Sequence, residues 1–295
     1  MRKVLKWIAI VLGGLLVLIV LITAAGYFIA EDRLNETHEI TPEVVEIPEQ
    51  VDTRLDQWPL LLIDLCADCH GPGLAGQVMD DDPLFGTLAS ANLTSGKGGV
   101  GDNFSDADFI RALRHGVDQE GKSLVVMPSE TISKLSDEDL GKVIAYIKNL
   151  PPIDNELPDS KLGPLARIMM VAGLIPDMLP AEIIDHDSEP KPDPVPGLSI
   201  AYGEYLSFIC AVCHTEDLSG GPDAGEGMNL TPGGQLADWS EEDFIQTMRT
   251  GVAPDGEKLE DEEMPWRSLR HYSDVELKAM WLYMQSLPAI ATEHR

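Results

Sequence analysis

The pattern Cys-x-x-Cys-His occurs twice, as Cys66-Ala67-Asp68-Cys69-His70 and as Cys210-Ala211-Val212-Cys213-His214. These motifs use all 4 cysteines of the chain, so none is left over for a disulfide. Two thiols at this spacing, followed directly by His, read as a c-type haem attachment site. The thiols add across the two vinyl groups of one haem, and the adjacent His becomes the proximal iron ligand. A redox dithiol is the rival reading, but it requires a βαβ context that the sequence lacks. A zinc site of four Cys would leave both histidines without a role. The pattern thus predicts two covalently bound haem c groups, on Cys66 and Cys69 and on Cys210 and Cys213, with iron ligands His70 and His214.

The N-terminus has its own logic. Arg2, Lys3 and Lys6 precede an uncharged run from Trp7 to Ala30. That run is long enough to cross a bilayer as a helix. The apolar core of a cleaved signal peptide spans about 7–15 residues, and this one is longer. Thr23-Ala24-Ala25 leaves cleavage open. Basic residues lie before the run and Glu31, Asp32 and Glu36 after it, which predicts a cytoplasmic N-terminus and an extracytoplasmic remainder. Residues 31–56, acidic and without sustained periodicity, read as a tether.

The rest is an internal repeat. The haem motifs align at an offset of 144, Asn92-Leu93-Thr94 and Asn229-Leu230-Thr231 at 137, and Ser105–Ile110 and Ser240–Ile245 at 135. Met127-Pro128 pairs with Met264-Pro265 at 137, an offset that holds through Leu150-Pro151 and Leu287-Pro288. Such a period is far too long for a solenoid and marks a duplicated domain. In each copy a helix leads into the haem motif, at about 58–69 and 200–213. A Gly- and Pro-containing loop follows, then a helix capped by Ser105 or Ser240, then the Met-Pro loop. A last helix starts at Ser136 or Ser273. Its apolar residues, Leu140, Val143, Ile144 and Ile147 or Leu277, Met280, Trp281 and Met284, fall on one helical face. No segment reads convincingly as a strand, and the expected fold class is all-α. The expected boundaries are 1–30 anchor, 31–56 tether, 57–153 first haem domain, 154–198 linker and 199–295 second haem domain.

Met127 and Met264 are the candidates for the sixth iron ligand. Each precedes Pro in a loop, C-terminal to its haem motif and at the same place in the repeat. A thioether ligand raises the reduction potential. The competing reading is two core methionines, the common role of this residue. His115 and His271 are rivals, but neither has a His counterpart in the other copy.

These residues together resemble class I cytochrome c domains. More narrowly, the chain is similar to the membrane-anchored mono- and dihaem cytochromes that include cytochrome subunits of bacterial membrane-bound dehydrogenases. The resemblance rests on Asn92-Leu93-Thr94, the run Phe109–Val117, Met127-Pro128, the run Leu135–Leu140 and the run Tyr146–Pro152, with Met264-Pro265-Trp266 in the second copy. It covers about 58–153 and 199–290. It implies helices packed round each haem, proximal His70 and His214, distal Met127 and Met264, and a crossing of first and last helices near Tyr146 and Tyr283. The copies depart from one another before the haem motif, where the second has Gly203 and Tyr205 and the first Pro59 and Leu61.

Asn35, Asn92 and Asn229 each begin an Asn-x-Thr triplet, a glycosylation sequon. The two that repeat read instead as haem-loop turns that cap the loop or reach a propionate. Arg114 and Arg249 align and are candidates for propionate pairing or for solvated helix ends. Residues 151–198 carry ten prolines around a short apolar stretch, Leu165–Ile175, too short to span a membrane. It reads as an inter-domain helix or as a patch resting on the bilayer or on an integral partner.

Net charge is −29. Phosphate repulsion then argues against nucleic acid, and the charge suits docking to a basic redox partner or, equally, adaptation to salt or simple solubility. The expectation is a membrane-anchored dihaem electron carrier on the periplasmic side of the cytoplasmic membrane, with no catalytic residues. It would relay electrons from a dehydrogenase or quinol-oxidising complex to a basic cytochrome or oxidase. A dihaem peroxidase with one open haem is the alternative, against which a Met-Pro in both copies argues.

Overall fold

The computed structural model describes residues 2–49, 58–175, 178–188, 192–221, 227–260 and 264–292. The end of the expected tether, 50–56, and residues 189–191 of the Pro-rich spacer lie outside them. The chain divides into two units. The first holds residues 1–43, 75–130 and 152–186, and the second holds 44–74, 131–151 and 187–295.

In the first unit, α1 (Arg2–Asn35) carries the whole apolar run and continues five residues beyond it. The chain then follows the unit closely, with the His38 amide donating to the Gly121 carbonyl at 2.8 Å. Next in sequence come β1 (Gln77–Asp82), β2 (Gly86–Ser90) and α3 (Asp106–His115). Ser105 and Asp108 close a capping box at the N-terminus of α3, and Gly116 ends the helix in the left-handed region at φ 66°. β3 (Lys161–Leu162) and α6 (Pro164–Val171) complete the unit. Ala30 of α1, Met170 of α6, Met178 and Leu179 form one buried cluster.

The all-α expectation is corrected here. β1, β2 and β3 form an antiparallel sheet in that order, with β1 pairing Gln77 to Ser90 and Asp82 to Gly86. The strands occupy the place where the copies differ in length: 26 residues separate Cys66 from Asn92, but 19 separate Cys210 from Asn229. The extra residues make the β1–β2 hairpin, whose turn is closed by Asp82 Oδ1 accepting from the Leu84 and Phe85 amides at 2.7 and 3.0 Å. Most β1 side chains face solvent, so the alternation that marks a half-buried strand is absent from the sequence.

The second unit is built from α2 (Leu62–His70), α4 (Ser129–Ile132) at its boundary with the first unit, α5 (Asp137–Lys148), α7 (Ile200–Ser207), α8 (Ala211–His214), α9 (Glu241–Thr250), α10 (Trp266–Leu269) and α11 (Asp274–Ser286). A 3-10 turn, Phe208–Cys210, joins α7 to α8. α2 starts later than expected, at Leu62. The face read for the last helix of each copy is the buried one: Leu140, Val143, Ile144 and Ile147 in α5, and Leu277, Met280, Trp281 and Met284 in α11.

The expected helix crossing is present in the second copy. A Cβ on Gly203 of α7 would lie 1.9 Å from the Ala279 carbonyl oxygen and 2.9 Å from Tyr283 Cβ of α11. Only a residue without a side chain permits that approach.

Candidate haem sites

The second haem motif lies wholly within the second unit, and its geometry follows from a few residues. His214 ends α8 and is buried. Its Nδ1 lies 2.6 Å from the Met228 carbonyl oxygen, to which it donates. That bond fixes the tautomer and leaves Nε2 as the basic, ligating nitrogen. Burial lowers the His214 pKa, which keeps the ring neutral. The backbone of Gly227 lies on the imidazole, so closely that a Cβ there would sit 2.5 Å from Nδ1. The Gly227 amide also bonds the Cys213 carbonyl. Neither Gly227 nor the Met228 carbonyl was singled out from the sequence. Their signal was positional: they immediately precede Asn229-Leu230-Thr231.

After each motif the chain makes the same turn. Gly71 and Thr215 have φ of 70° and 65°, and Leu74 and Leu218 have φ of 55° and 58°. Both leucines are 2 % exposed. The Leu74 amide bonds Gly71 at 3.0 Å, and the Leu218 amide bonds Thr215 at 3.0 Å. The loops beyond repeat too. Asn92 Oδ1 accepts from the Thr94 amide and hydroxyl at 3.0 and 2.8 Å, while its Nδ2 donates to the Ile153 carbonyl at 2.8 Å. Asn229 makes the corresponding bonds to Thr231 at 2.8 and 2.7 Å and to Ile290 at 2.7 Å. Both Asn are buried and fully engaged, so they are loop caps and not sugar acceptors.

Met127 and Met264 occupy equivalent tight turns. The Met127 carbonyl accepts from the Ser129 amide at 2.8 Å, and the Met264 carbonyl from the Trp266 amide at 2.7 Å. Each is half-buried, and Met264 packs on the core that contains Cys210, Phe244 and Met280. His70, Cys66 and Cys69 belong to the second unit, whereas Met127 belongs to the first. His214, Cys210, Cys213 and Met264 all belong to the second.

The thiol chemistry bears on the rival dithiol reading. The four cysteines form no disulfide. Burial pushes the Cys66 and Cys210 thiols up to about 12. Redox dithiols work through a depressed pKa, so these thiols are placed in the opposite environment. His115 and His271 stay outside the motifs. The His115 ring contacts Glu43 at 3.1 Å and His186 at 3.2 Å, and His271 Nε2 accepts from Arg270 at 3.4 Å. Arg114 pairs with Glu43 at 2.8 Å, and Arg249 with Asp274 at 2.8 Å.

The donor set of the second copy fits haem c: the Cys210 and Cys213 thiols share one motif with the His214 imidazole, and the Met264 thioether packs on the same core. A further feature of that core also fits. Tyr272 is 1 % exposed, yet its hydroxyl has no hydrogen-bond partner, and neither has the buried Ser207 hydroxyl. Burial pushes the Tyr272 pKa far up, so the hydroxyl remains a donor that needs an acceptor, such as a carboxylate. The equivalent residue in the first copy is the apolar Leu135.

Tyr272 belongs to an aromatic group. Trp58 stacks on it with centroids 5.9 Å apart and meets Tyr205 and Phe208 edge-on at 5.8 and 5.7 Å. Asp139 of α5 ties the group together, accepting from Trp58 Nε1 at 2.8 Å and from the Tyr205 hydroxyl at 2.6 Å.

Comparison with known proteins agrees with this chemistry. Residues 61–147 match the family described as cytochrome c oxidase, cbb3-type, subunit III. The fructose dehydrogenase cytochrome subunit of Gluconobacter japonicus is 30 % identical over 77 % of this chain and 51 % of its own length. The gluconate 2-dehydrogenase cytochrome c subunit of Pantoea cypripedii is 29 % identical over 76 % of this chain and 57 % of its own. A dihaem cytochrome c-type protein of Cereibacter sphaeroides is 26 % identical over 76 % of this chain and 82 % of its own. The chain spans about half the length of the dehydrogenase cytochrome subunits it matches. The chain thus matches a cytochrome c family over residues 61–147 and is similar over three quarters of its length to the cytochrome subunits of dehydrogenases, a likeness that supports covalently bound haem c.

Proposed function

We propose that this chain is a dihaem electron relay, held in the cytoplasmic membrane by α1 with its haem domains on the extracytoplasmic side. The observation that carries the reading is the pairing of two Cys-Ala-x-Cys-His motifs with closely similar turns at Gly71–Leu74 and Thr215–Leu218. Haem c, when bound, supplies an iron that cycles between Fe(III) and Fe(II). The chain's own residues ligate, bury and dock it. Cys66, Cys69, Cys210 and Cys213 would hold it covalently, with His70 and His214 as its proximal and Met127 and Met264 as its distal iron ligands. The domains run from 57 to 153 and from 199 to 295, with 31–56 as tether and 154–198 as linker.

The Met228 carbonyl, by holding His214 through Nδ1, keeps the ring oriented and raises its basicity, which tunes the potential. Gly227 shields one face of that ring from water. α1 is the one described helix long and apolar enough to cross a membrane, and Arg2, Lys3 and Lys6 at its start favour a cytoplasmic N-terminus. The names of the relatives support a dehydrogenase as electron donor, and the charge of −29 supports a basic cytochrome or oxidase as acceptor. No bond of a substrate is made or broken.

Stopped-flow mixing of the reduced full chain with a basic cytochrome c tests this. Transfer should be fast and should slow steeply with added salt. Slow, salt-independent transfer would count against a relay to a basic partner.

A further inference from the structure

One part of the first unit has no use in holding haem. α6 lies against the outer end of α1 and contains none of the Cys, His or Met candidates for holding haem. Ala166 and Met170 of α6 face inward, Met170 within the cluster that includes Ala30 of α1. Arg167 sits over the Tyr27 ring, 4.6 Å from its centroid, and pairs with Glu31. Its Nε donates to the Leu162 carbonyl at 2.9 Å. A Cβ built on Gly26 would meet Ile168 at 3.8 Å, ordinary contact distance. Arg33, one turn further along α1, bonds Glu182 through Nε at 2.9 Å.

These contacts fix the depth of α6. The apolar run of α1 ends at Ala30, so Gly26 lies about 6 Å inside that end at about 1.5 Å per residue. A helix packed on Gly26 and Tyr27 therefore stands at the boundary between headgroups and acyl chains, the depth at which amphipathic interfacial helices rest. The Arg167 guanidinium over the Tyr27 ring, paired with Glu31, is a cation–π contact of the kind an interfacial tyrosine offers.

The side of α6 away from the cluster is apolar. Leu165 and Met169 are half-buried, and Leu174, just past the helix, is 68 % exposed. The β1–β2 hairpin tip joins the helix at its start, with the Leu165 amide donating to the Leu84 carbonyl at 2.9 Å. Leu84 and Phe85 there are 58 % and 39 % exposed.

We infer that α6 and the hairpin tip form a foot that lies in the outer membrane–water interface, with Leu165, Met169, Leu174, Leu84 and Phe85 among the acyl chains. The occupant of this face is zwitterionic lipid, because Asp80, Asp81 and Asp82 beside the tip would repel an anionic surface. The foot sets the height and tilt of the first unit over the bilayer, and it rests on the reading of α1 as a retained anchor.

The test uses the full haem-loaded chain in phosphatidylcholine nanodiscs, with nitroxide labels on Leu174→Cys, Leu84→Cys, Leu16→Cys and Val195→Cys in separate samples. Collision rates with oxygen and with a water-soluble nickel chelate are measured. The foot predicts oxygen-to-nickel ratios at Leu174 and Leu84 severalfold above that at Val195, approaching that at Leu16. Ratios at Leu174 and Leu84 equal to that at Val195, with Leu16 protected, would overturn the foot and leave the anchor standing. Protection of Leu174 and Leu84 that arises only when a purified dehydrogenase is added would assign the face to a protein partner and would also overturn it. A nickel-accessible Leu16 would remove the anchor and the foot together.

Discussion

The two haem-motif copies share their attachment residues and turns but differ in what surrounds them. The second packs α7 directly on α11 through Gly203 and holds His214 against Gly227. The first has Pro59 where the second has Gly203, and its loop expands into the β1–β2 hairpin. The second copy thus lies within one unit, whereas the first contributes elements to both. Duplication preserves what the cofactor chemistry needs, the thiols, the imidazole, the Asn-Thr loop knot and the Met-Pro turn. What diverges is the surface that each copy presents, and the added hairpin of the first joins α6, which packs on α1.

The largest expected effect is on cofactor content. His214→Ala removes the proposed proximal ligand of one copy only, so the second haem should become high-spin or be lost while the first keeps its spectrum. Loss of both would show that the copies are not independent sites. Gly203→Ala comes next. Forcing a methyl group against the Ala279 carbonyl should cost about 1–3 kcal/mol, read as an earlier urea transition of the second copy; Pro59→Ala should not show that loss.

The aligned arginines give a pH-dependent contrast. Arg114 and Glu43 are largely buried, whereas Arg249 pairs with an exposed Asp274. Burial would raise the Glu43 carboxyl, but the His115 hydrogen bond and the Arg114 charge outweigh it and hold it at about 2. Its folded pKa lies below the unfolded value of 4.5. The stability it contributes is therefore complete above pH 4.5 and is lost as pH falls towards 2. Glu43→Gln should cost about 2 kcal/mol at neutral pH, after discounting for partial exposure, and should flatten the acid limb of the denaturation profile. Asp274→Asn should leave stability unchanged. The smallest effect is Thr215→Gly. Thr215 holds φ 65° and ψ 162°, a region that suits glycine, which the first copy has at Gly71. The replacement should gain at most about 1 kcal/mol in thermal unfolding, since glycine also loosens the unfolded chain.

Much of the haem chemistry was legible because it is carried by residues at fixed spacing. Cys-x-x-Cys-His needs no tertiary context, and Ser105-x-x-Asp108 and Ser240-x-x-Asp243 announce their helix starts through hydrogen bonds four residues long. The buried faces of α5 and α11 followed from periodicity alone. The sheet was not legible, because β1 is exposed and β3 is two residues long, so neither leaves a pattern. Gly227 and the Met228 carbonyl leave only a positional signal for another reason: they act through backbone, and backbone carries no side-chain signature. The bond from Asp139 to Trp58 and Tyr205 spans more than sixty residues of sequence, and no local rule reaches that far.

The central claim, two covalent haems each held by His and Met, is tested most directly by intact mass together with the oxidised and reduced visible spectra of the full chain. The account predicts a mass increment of two haems, low-spin spectra, and a weak Met-to-iron charge-transfer band that halves in either Met127→Ala or Met264→Ala. A single-haem increment, or a charge-transfer band untouched by either substitution, would contradict it.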